Sequence, residues 1–237
     1  MKRFHHYERR PRTLRELFIR TLRGDRPAPA RATFTLSGLD LRIDRGEAVA
    51  LVGANGSGKS TALRLMAGIY PPSAGTIETT GRVAAVIELG AGFHPELTGR
   101  ENAALYAATL GLAASEIADR LPEALAFADI GAFVDEPAKY YSSGMAARLA
   151  YAVAAVCARP DVLLLDEVLA VGDQRFRERC FEHLGRFRDG GGTLVIVSHD
   201  ADALRRFCGR GVWVDAGRVR MTGPIDDVLA AYAGAAE

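Results

Sequence analysis

The segment GANGSGKS, residues 53–60, carries the clearest chemical pattern in the sequence. A glycine, four residues and then Gly-Lys-Ser is the spacing of a loop that wraps a phosphate group. Its glycines let main-chain N–H groups converge on one anion, and a following helix adds the positive end of its dipole. Lys59 can reach the β- and γ-phosphates of a nucleotide, and the Ser60 hydroxyl can bind Mg²⁺. The pattern predicts a site for ATP and Mg²⁺.

Two apolar runs end in residues that suit the same chemistry. VLLLDE predicts a buried strand whose carboxyl end brings Asp166 to the magnesium shell. Glu167 would orient the attacking water and accept its proton. TLVIVSH ends in His199, which is interpreted as a contact to the γ-phosphate. A Ser-His-Asp triad within VSHD is excluded, because adjacent residues of one strand cannot place three side chains on one reaction centre.

A second segment that could bind a phosphate, SSGM, begins the largely apolar stretch from Ser142 to Ala158. Small residues at a helix start leave N–H groups free to face an anion. One interpretation is an ordinary N-cap at Ser142 or Ser143. The other is that this segment covers the nucleotide of a second copy of the chain across a two-fold axis, since the chain already has its own phosphate loop.

The elements that must position these residues follow from the hydrophobic pattern. Helical patterns separate four short apolar runs, as in β-α-β units around a parallel sheet; the runs are 48–53, 82–89, 162–167 and 193–199. TFTLSGLDLRI alternates as an antiparallel strand does. The stretch 99–158 has no strand signal and predicts a helical insert. GVWVDAGRVRMTG predicts a hairpin, followed by a last helix.

Composition narrows the class of protein. The chain has 237 residues, is 49% apolar and 25% charged and carries a net charge of +1, which is typical of a globular protein and does not indicate nucleic acid as a partner. Its longest apolar stretch, 149–158, is shorter than the ~20 residues of a membrane span, and the N-terminus lacks a signal-peptide core. Three widely spaced cysteines indicate reduced thiols. A cytoplasmic location is expected.

The first 26 residues form a basic arm with nine lysines and arginines against three acids. Apolar residues at helical spacing predict a short amphipathic helix over 13–23, with Arg15, Arg20 and Arg23 between them. One hypothesis places this helix near a membrane surface, where its arginines attract lipid or a pyrophosphate linker. The alternative is a solvated helix that packs on its own domain.

The order and spacing of these motifs resemble those of ABC-transporter ATPase subunits from about Thr33 onward. Three segments resemble in sequence the Wzt-like and teichoic-acid-exporter ATPases of bacterial polysaccharide exporters. These segments are ELGAGFHPELTGREN, YSSGMAARLAYAVA and DEVLAVGD. The resemblance implies an α/β fold, a P-loop NTPase of ABC type, with a mostly parallel core sheet, an antiparallel β-subdomain and an α-helical subdomain.

The resemblance also implies how the chain is divided. It would be one ABC ATPase domain, 1–237, whose N-terminal arm is 1–32. The RecA-like core with its β-subdomain would comprise 33–98 and 159–237, and the helical signature subdomain 99–158. No C-terminal carbohydrate-binding domain is expected.

Site roles carried over by the resemblance fall on matching residues. The Walker A loop would comprise Gly53, Asn55, Gly56, Ser57, Gly58, Lys59, Ser60 and Thr61. Lys59, Glu167 and His199 would be catalytic, with Glu167 as the base and His199 as the switch histidine. Ser60, Asp166 and Glu88 would bind Mg²⁺. The signature loop would comprise Ser142, Ser143, Gly144 and Met145, acting on the second copy's ATP, and Asp173 would contact the opposite subunit.

Three features depart from the family pattern. Tyr-Ser-Ser-Gly-Met replaces the usual Leu-Ser-Gly-Gly-Gln, and Glu88 stands where the family has the Q-loop glutamine. Only three residues precede Phe4, so the strand that comes before the adenine-stacking aromatic is expected to be missing or truncated. Tyr7 is favoured over Phe4 as the residue that stacks on adenine.

The expected function is ATP hydrolysis that drives export of a lipid-linked polysaccharide (O antigen, teichoic acid, capsule or a similar glycan) across the inner membrane. Partners would be a second copy, a membrane permease and, through the permease, the glycan, with no nucleic acid. The chain would sit at the cytoplasmic face of the inner membrane. The main alternative is an importer or small-molecule-exporter ATPase. Three other classes of ATPase are disfavoured. Chromosome ATPases would need long coiled-coil insertions, which the sequence lacks, and ribosome-binding ABC proteins normally carry two ABC domains in one chain. P-loop kinases need neither a signature helix nor a switch histidine.

Overall fold

The structure is a computed structural model that describes residues 2–6, 31–87, 92–167 and 173–235. The basic helix predicted over 13–23, Tyr7 and Glu88 lie outside these residues. The described strands are β1 (Lys2–His6), β2 (Arg31–Leu36), β3 (Ala48–Val52), β4 (Val83–Val86), β5 (Val162–Asp166), β6 (Thr193–Val197), β7 (Arg210–Asp215) and β8 (Arg218–Pro224).

Six of these strands form the central sheet in the order β4-β5-β6-β3-β7-β8. The first five are parallel to their neighbours, and β8 is antiparallel to β7. Every residue of β3 and β6 is buried, which explains why these strands are continuous apolar runs and do not alternate. The four parallel strands predicted from the apolar runs are therefore confirmed, as is the mostly parallel α/β fold.

The predicted C-terminal hairpin is also confirmed. Strands β7 and β8 are joined at Ala216 and Gly217, which both have positive φ, of 46° and 78°. Two such residues make the tight turn that matches the twist of a hairpin. The last helix, Ile225–Gly234, follows directly. The sequence did not indicate that β7 would also extend the parallel sheet by pairing with β3.

A separate two-stranded sheet corrects two expectations. The strand expected to be missing or truncated at the N-terminus is present as β1, which pairs antiparallel with β2 and includes Phe4. The strand predicted over 33–43 ends at Leu36. Gly38 adopts a left-handed conformation (φ 72°) and the amide of Ser37 donates to Gly217, so the strand pairing cannot continue.

The described helices are α1 (Lys59–Met66), α2 (Gly99–Thr109), α3 (Ala114–Ala128), α4 (Ser143–Tyr151), α5 (Gln174–Asp189), α6 (Ala201–Phe207) and α7 (Ile225–Gly234). Two 3₁₀ turns, Gly131–Asp135 and Ala138–Tyr140, lie between α3 and α4. A fully buried π-helical turn, Ala152–Cys157, continues α4 towards β5. Residues 99–158 thus contain helices and turns without a named strand, as predicted.

Packing on the central sheet places its strand ends beside α1. Ala62 and Leu63 of α1 pack with Leu51 of β3 and Leu164 of β5 in one core cluster. A larger cluster joins other core residues of the sheet to α2, α3, α4 and the π-helical turn. Because α1 begins at Lys59, after the short loop that follows β3, its N-terminus lies at the edge where the parallel strands end.

Candidate nucleotide site

The loop from Gly53 to Gly58 connects β3 to α1 and needs its glycines. Gly56 and Gly58 have φ of 79° and 112°, which residues with a side chain rarely adopt. A Cβ on Gly53 would contact the carbonyl of Val214 and lie 2.8 Å from the Ser57 hydroxyl. The loop therefore curls tightly against β7 before the helix starts. The first N–H groups of α1 have no partner within the helix, which leaves them available to an anion.

Two polar side chains are buried inside this loop. Lys59 is 7% exposed, and its ammonium donates to the carbonyls of Gly53 at 2.7 Å and Ala54 at 2.9 Å. Burial lowers the pKa of Lys59, while the charges of Glu167 and Asp166 act in the opposite direction. Ser57 is 5% exposed, and its hydroxyl has no hydrogen-bond partner among the described residues. A buried polar atom without a partner fits a loop built to receive a ligand.

The carboxylate of Asp166 meets the start of α1 at the end of β5. Burial raises the pKa of Asp166, and a hydrogen bond from the Ser60 hydroxyl acts in the opposite direction. A hydroxyl and a carboxylate side by side are two oxygen ligands of the kind that Mg²⁺ prefers when phosphates complete its shell. Among the described residues no group of three or more His, Cys, Asp and Glu could hold a metal ion.

Glu167 and His199 come together from neighbouring strands. Glu167 Oε1 lies 3.1 Å from His199 Nε2, and both side chains are more than half exposed. Glu167 has a left-handed backbone (φ 56°) and donates its amide to the carbonyl of Val197 at 2.8 Å. Non-glycine residues in this conformation cost free energy and occur often at functional sites. The turn aims the carboxylate at the phosphate loop.

The phosphate loop, the start of α1 and Glu167 line one pocket of about 230 Å³. Its lining residues are Asn55, Gly56, Gly58, Lys59, Ser60, Thr61 and Glu167. Six of them belong to the predicted phosphate loop or helix start, and the seventh, Glu167, lies 106 residues after Thr61 in sequence. The structure therefore brings together most of the residues that the sequence predicted to share one site, while Tyr7 and Glu88 lie outside the described residues.

The signature residues lie elsewhere, at the start of α4. Ser142 is the N-cap of this helix and accepts a hydrogen bond from the Met145 amide at 3.2 Å. Ser142 and Ser143 are exposed, and Gly144 and Met145 are half-buried. The ordinary N-cap interpretation is thus confirmed for Ser142. A contact to a second copy's nucleotide stays a prediction.

Asp173 begins α5 and forms contacts within its own chain. Its Oδ1 accepts from the Phe176 amide at 2.9 Å, and its Oδ2 lies 2.7 Å from Arg148 Nη2. The predicted contact of Asp173 with an opposite subunit stays a prediction. Sequence reasoning missed Arg148, although one arginine in an otherwise apolar helix was a signal, because a buried charge requires a partner.

Comparison with known proteins agrees with this geometry. Residues 36–170 match the sequence profile of the ABC transporter family. An O-antigen export system ATP-binding protein of Myxococcus xanthus is 42% identical over 93% of this chain, which spans 50% of that protein. One from Klebsiella pneumoniae is 41% identical over 92% of this chain and 89% of its own length. A teichoic acids export ATP-binding protein of Bacillus cereus is 40% identical over 84% of this chain and 36% of its own length.

Solved structures show the same architecture. A dimeric ATP-binding cassette in a post-hydrolysis state with ADP and phosphate superposes with a TM-score of 0.68 at 25% identity, covering 79% of this chain and 89% of that one. An ATP-binding subunit of an ABC transporter gives a TM-score of 0.71 at 27% identity over 82% of this chain and 85% of its own. Across the residues described, no helix is both long and apolar enough to cross a membrane.

Proposed function

This chain belongs to the ABC transporter family, and from that premise we propose that it is the ATP-hydrolysing subunit of an exporter of lipid-linked polysaccharide. The relatives from Myxococcus, Klebsiella and Bacillus, which are named for export of O antigen or teichoic acids, support the cargo class. The observation that carries the catalytic part is the pocket where the phosphate loop meets Glu167, itself 3.1 Å from His199.

ATP would bind with its phosphates in the loop from Gly53 to Thr61. The unpartnered hydroxyl of Ser57 and the free N–H groups at the start of α1 are the donors that suit phosphate oxygens. Lys59 would exchange its two carbonyl partners for the β- and γ-phosphates. Phe4 in β1 and Tyr7 remain the two candidates for stacking on adenine.

Mg²⁺ would be held by Ser60 and Asp166, with Glu88 as a third proposed ligand. When bound, this ion neutralises phosphate charge. The chain's own contribution is position, because Ser60 on α1 and Asp166 on β5 are already hydrogen-bonded to each other. That bond holds two oxygen ligands at one edge of the phosphate loop.

Glu167 is the proposed general base. Its carboxylate lines the pocket beside Lys59 and Ser60, where it can orient a water molecule and accept its proton. His199 would hold the carboxylate through the 3.1 Å contact and would itself reach the γ-phosphate. Both residues sit at the ends of paired strands, since Asp166 is in register with Val197. The sheet therefore fixes their spacing.

A second copy would complete the site. The exposed serines at the head of α4, with Gly144 and Met145, would cover the γ-phosphate of ATP bound to the partner. Two such sites bury two ATP molecules between the subunits, and hydrolysis then releases the contact. The dimeric cassette with ADP and phosphate supports this assembly.

A permease would dock on the helical side of the chain. Leu105, Phe133 and Tyr140 are large apolar residues that are 45–61% exposed there. Phe93 packs edge-on against Tyr106 of α2, with ring centroids 6.3 Å apart. We propose that these residues receive a membrane partner at the cytoplasmic face of the inner membrane. Phe93→Asp would then uncouple ATP hydrolysis from transport, and unchanged transport with a normal co-purified complex would contradict this docking site.

The deciding experiment replaces Glu167 with Gln in the source organism. Lipid-linked sugars are then extracted and identified by mass spectrometry, with Glu78→Gln, an exposed loop residue, as the matched control. Accumulation of one lipid-linked glycan only in the Glu167→Gln strain would support export and identify the cargo. If no lipid-linked sugar changes while the purified variant has lost ATPase activity, the chain energises another ABC transporter, such as an importer.

A further inference from the structure

A second cleft, of about 550 Å³, lies between α3, the π-helical turn and α5. Arg179, His183 and Arg186 of α5 line it, and their spacing of four and three residues puts them on one face of that helix. Glu123 of α3 and Arg159, just after the turn, line it from the other elements. None of its lining residues lines the nucleotide pocket. Its volume falls within the range of about 300–1,000 Å³ that is typical of small-molecule sites.

The charges that line this cleft are mostly positive. Among the described residues they are three arginines and one carboxylate, that of Glu123. Glu123 pairs with Arg159 at 2.8 Å, and both side chains are 58% exposed. A pair so open to water is weak, so Arg159 can exchange this partner for another anion at small cost.

The two arginines on α5 differ in their partners. Arg179 lies 5.1 Å over the ring of Phe127 and pairs with Asp129 at 3.3 Å. Arg186 is exposed, and its guanidinium makes neither an ion pair nor a hydrogen bond with any residue that the structure describes. The planar fork of an arginine matches two oxygens of a phosphate group. Arg186 is therefore the side chain of the cleft best suited to hold such a group.

His183 adds aromatic surface to the cleft without adding charge. Its Nδ1 lies 3.3 Å from the Tyr151 hydroxyl, and its ring packs edge-on against Phe127 with centroids 5.6 Å apart. Burial lowers the pKa of His183 to about 4; the charge of Arg186 acts in the same direction and that of Glu123 in the opposite one. The ring is thus neutral at pH 7. Arginines beside aromatic rings suit a ligand with an anionic end and an organic ring.

We propose that this cleft binds a small soluble phosphate monoester, with its phosphate on Arg186 and its organic part against Phe127 and His183. Arg179 and Arg159 supply further positive charge. The volume leaves room for a ring beside the phosphate, as in a sugar phosphate. An acidic protein segment would meet the same arginines, but a cleft of this size fits a small molecule better. The site uses no residue of the phosphate loop, so this inference does not depend on the proposed function.

The test is isothermal titration of the purified full chain with glucose 1-phosphate and with phenyl phosphate, two monoesters that carry different rings. Arg186→Met removes the unpaired fork. Arg175→Met is the matched control, since Arg175 is an exposed arginine of the same helix that does not line the cleft. Lys59→Met reports any binding at the phosphate loop. Glu123→Gln removes the one carboxylate among the described lining residues.

We expect at least one of the two monoesters to bind, and Arg186→Met to weaken that binding about ten-fold, as for the loss of a hydrogen-bonded charge. Arg175→Met and Lys59→Met should bind like the wild type. Glu123→Gln should bind about three-fold more tightly, because it frees Arg159 and removes a repulsive charge. A purely structural role of these residues would not produce this gain. Glucose, which lacks the phosphate, should not bind.

Four results would overturn the proposal. The first is that neither monoester binds at millimolar concentration. The second is binding that survives Arg186→Met and is lost in Lys59→Met, which would place the phosphate in the nucleotide site. The third is equal weakening by Arg175→Met, which would indicate attraction to the general charge of α5. The fourth is binding of a glutamate peptide but of neither monoester, which would make the occupant an acidic protein segment.

Thermal unfolding separates these results from misfolding. Arg186 is exposed and its guanidinium has no partner among the described residues, so Arg186→Met should unfold at the same temperature as the wild type. A loss of binding at an unchanged unfolding temperature then reports the cleft itself.

Discussion

The phosphate loop and the signature segment both place small residues at the start of a helix, but their surroundings differ. Around the loop the chain itself supplies Asp166, Glu167 and His199 from the ends of two adjacent strands. At the head of α4, Ser142 and Ser143 are exposed, and the one side-chain hydrogen bond that they make among the described residues is the cap to Met145.

This difference separates groups that one chain assembles from groups that, under the proposed function, would act with a partner. Lys59 and a buried hydroxyl without a partner among the described residues, that of Ser57, lie at the loop, so one copy supplies groups that suit its proposed ligand. The exposed serines do not line the pocket at the phosphate loop. The N–H groups of a helix start suit an anion, and under the proposed function a second copy of the chain would bring that anion to this one.

The largest effect is expected at the loop. Lys59→Met should lower ATPase activity by about 100-fold or more, because the lost charge stabilises the transferred phosphoryl group. The measurement is phosphate release by the purified chain, together with binding of a fluorescent ATP analogue. Lys139→Met is the control, since this lysine pairs with Glu96 on the surface at 2.8 Å. Equal activity of both variants would contradict the assignment of the loop.

A smaller effect should distinguish the two roles of the signature segment. Ser142 and Thr98 are both N-caps that accept a main-chain hydrogen bond at 3.2 Å. Replacing either by Ala should cost about 1 kcal/mol of stability. Only Ser142→Ala should also reduce ATPase activity, by about ten-fold, since its hydroxyl would face the partner's phosphate. If both variants keep full activity and lose the same stability, Ser142 is a helix cap alone.

The smallest effect concerns stability, and compares one ion pair in the sheet that carries the phosphate loop with one in the helical region. Arg210 of β7 binds both oxygens of Glu47, just before β3, at 2.6 and 2.9 Å, whereas Arg100 and Asp135 of the helical region form an exposed pair. Glu47→Gln should cost about 1 kcal/mol, because this fork is bidentate and three-quarters buried. Asp135→Asn should leave the unfolding midpoint unchanged. Denaturant titration of both variants checks the contrast.

The Arg210–Glu47 ion pair also predicts that stability depends on pH. The hydrogen bond from Arg210 lowers the pKa of Glu47 in the folded chain. A carboxyl whose pKa is lowered on folding contributes stability above its unfolded pKa, and that contribution is lost as pH falls through the folded value. The difference in unfolding free energy between the wild type and Glu47→Gln should therefore shrink below about pH 4. A difference that is constant from pH 7 to pH 3 would contradict this.

Much of the fold could be predicted because its signals are local. Buried parallel strands require continuous apolar runs, and a tight turn requires residues that accept positive φ. The antiparallel strand predicted over 33–43 is present but ends at Leu36, for a reason that local alternation does not show. Gly38 turns the backbone after Leu36, and Ser37 bonds to the distant hairpin. Pairing partners, and not the pattern alone, decide where a strand ends.

The sequence by itself determined the phosphate loop, since a glycine-rich turn between a strand and a helix can bind an anion with its own N–H groups. It also determined that Asp166, Glu167 and His199 follow apolar strands. Only the tertiary structure decided that Glu167 meets His199 and that Arg148 joins Asp173. These contacts depend on strand order and helix packing, which are set by the burial of many residues together, and no short segment encodes them.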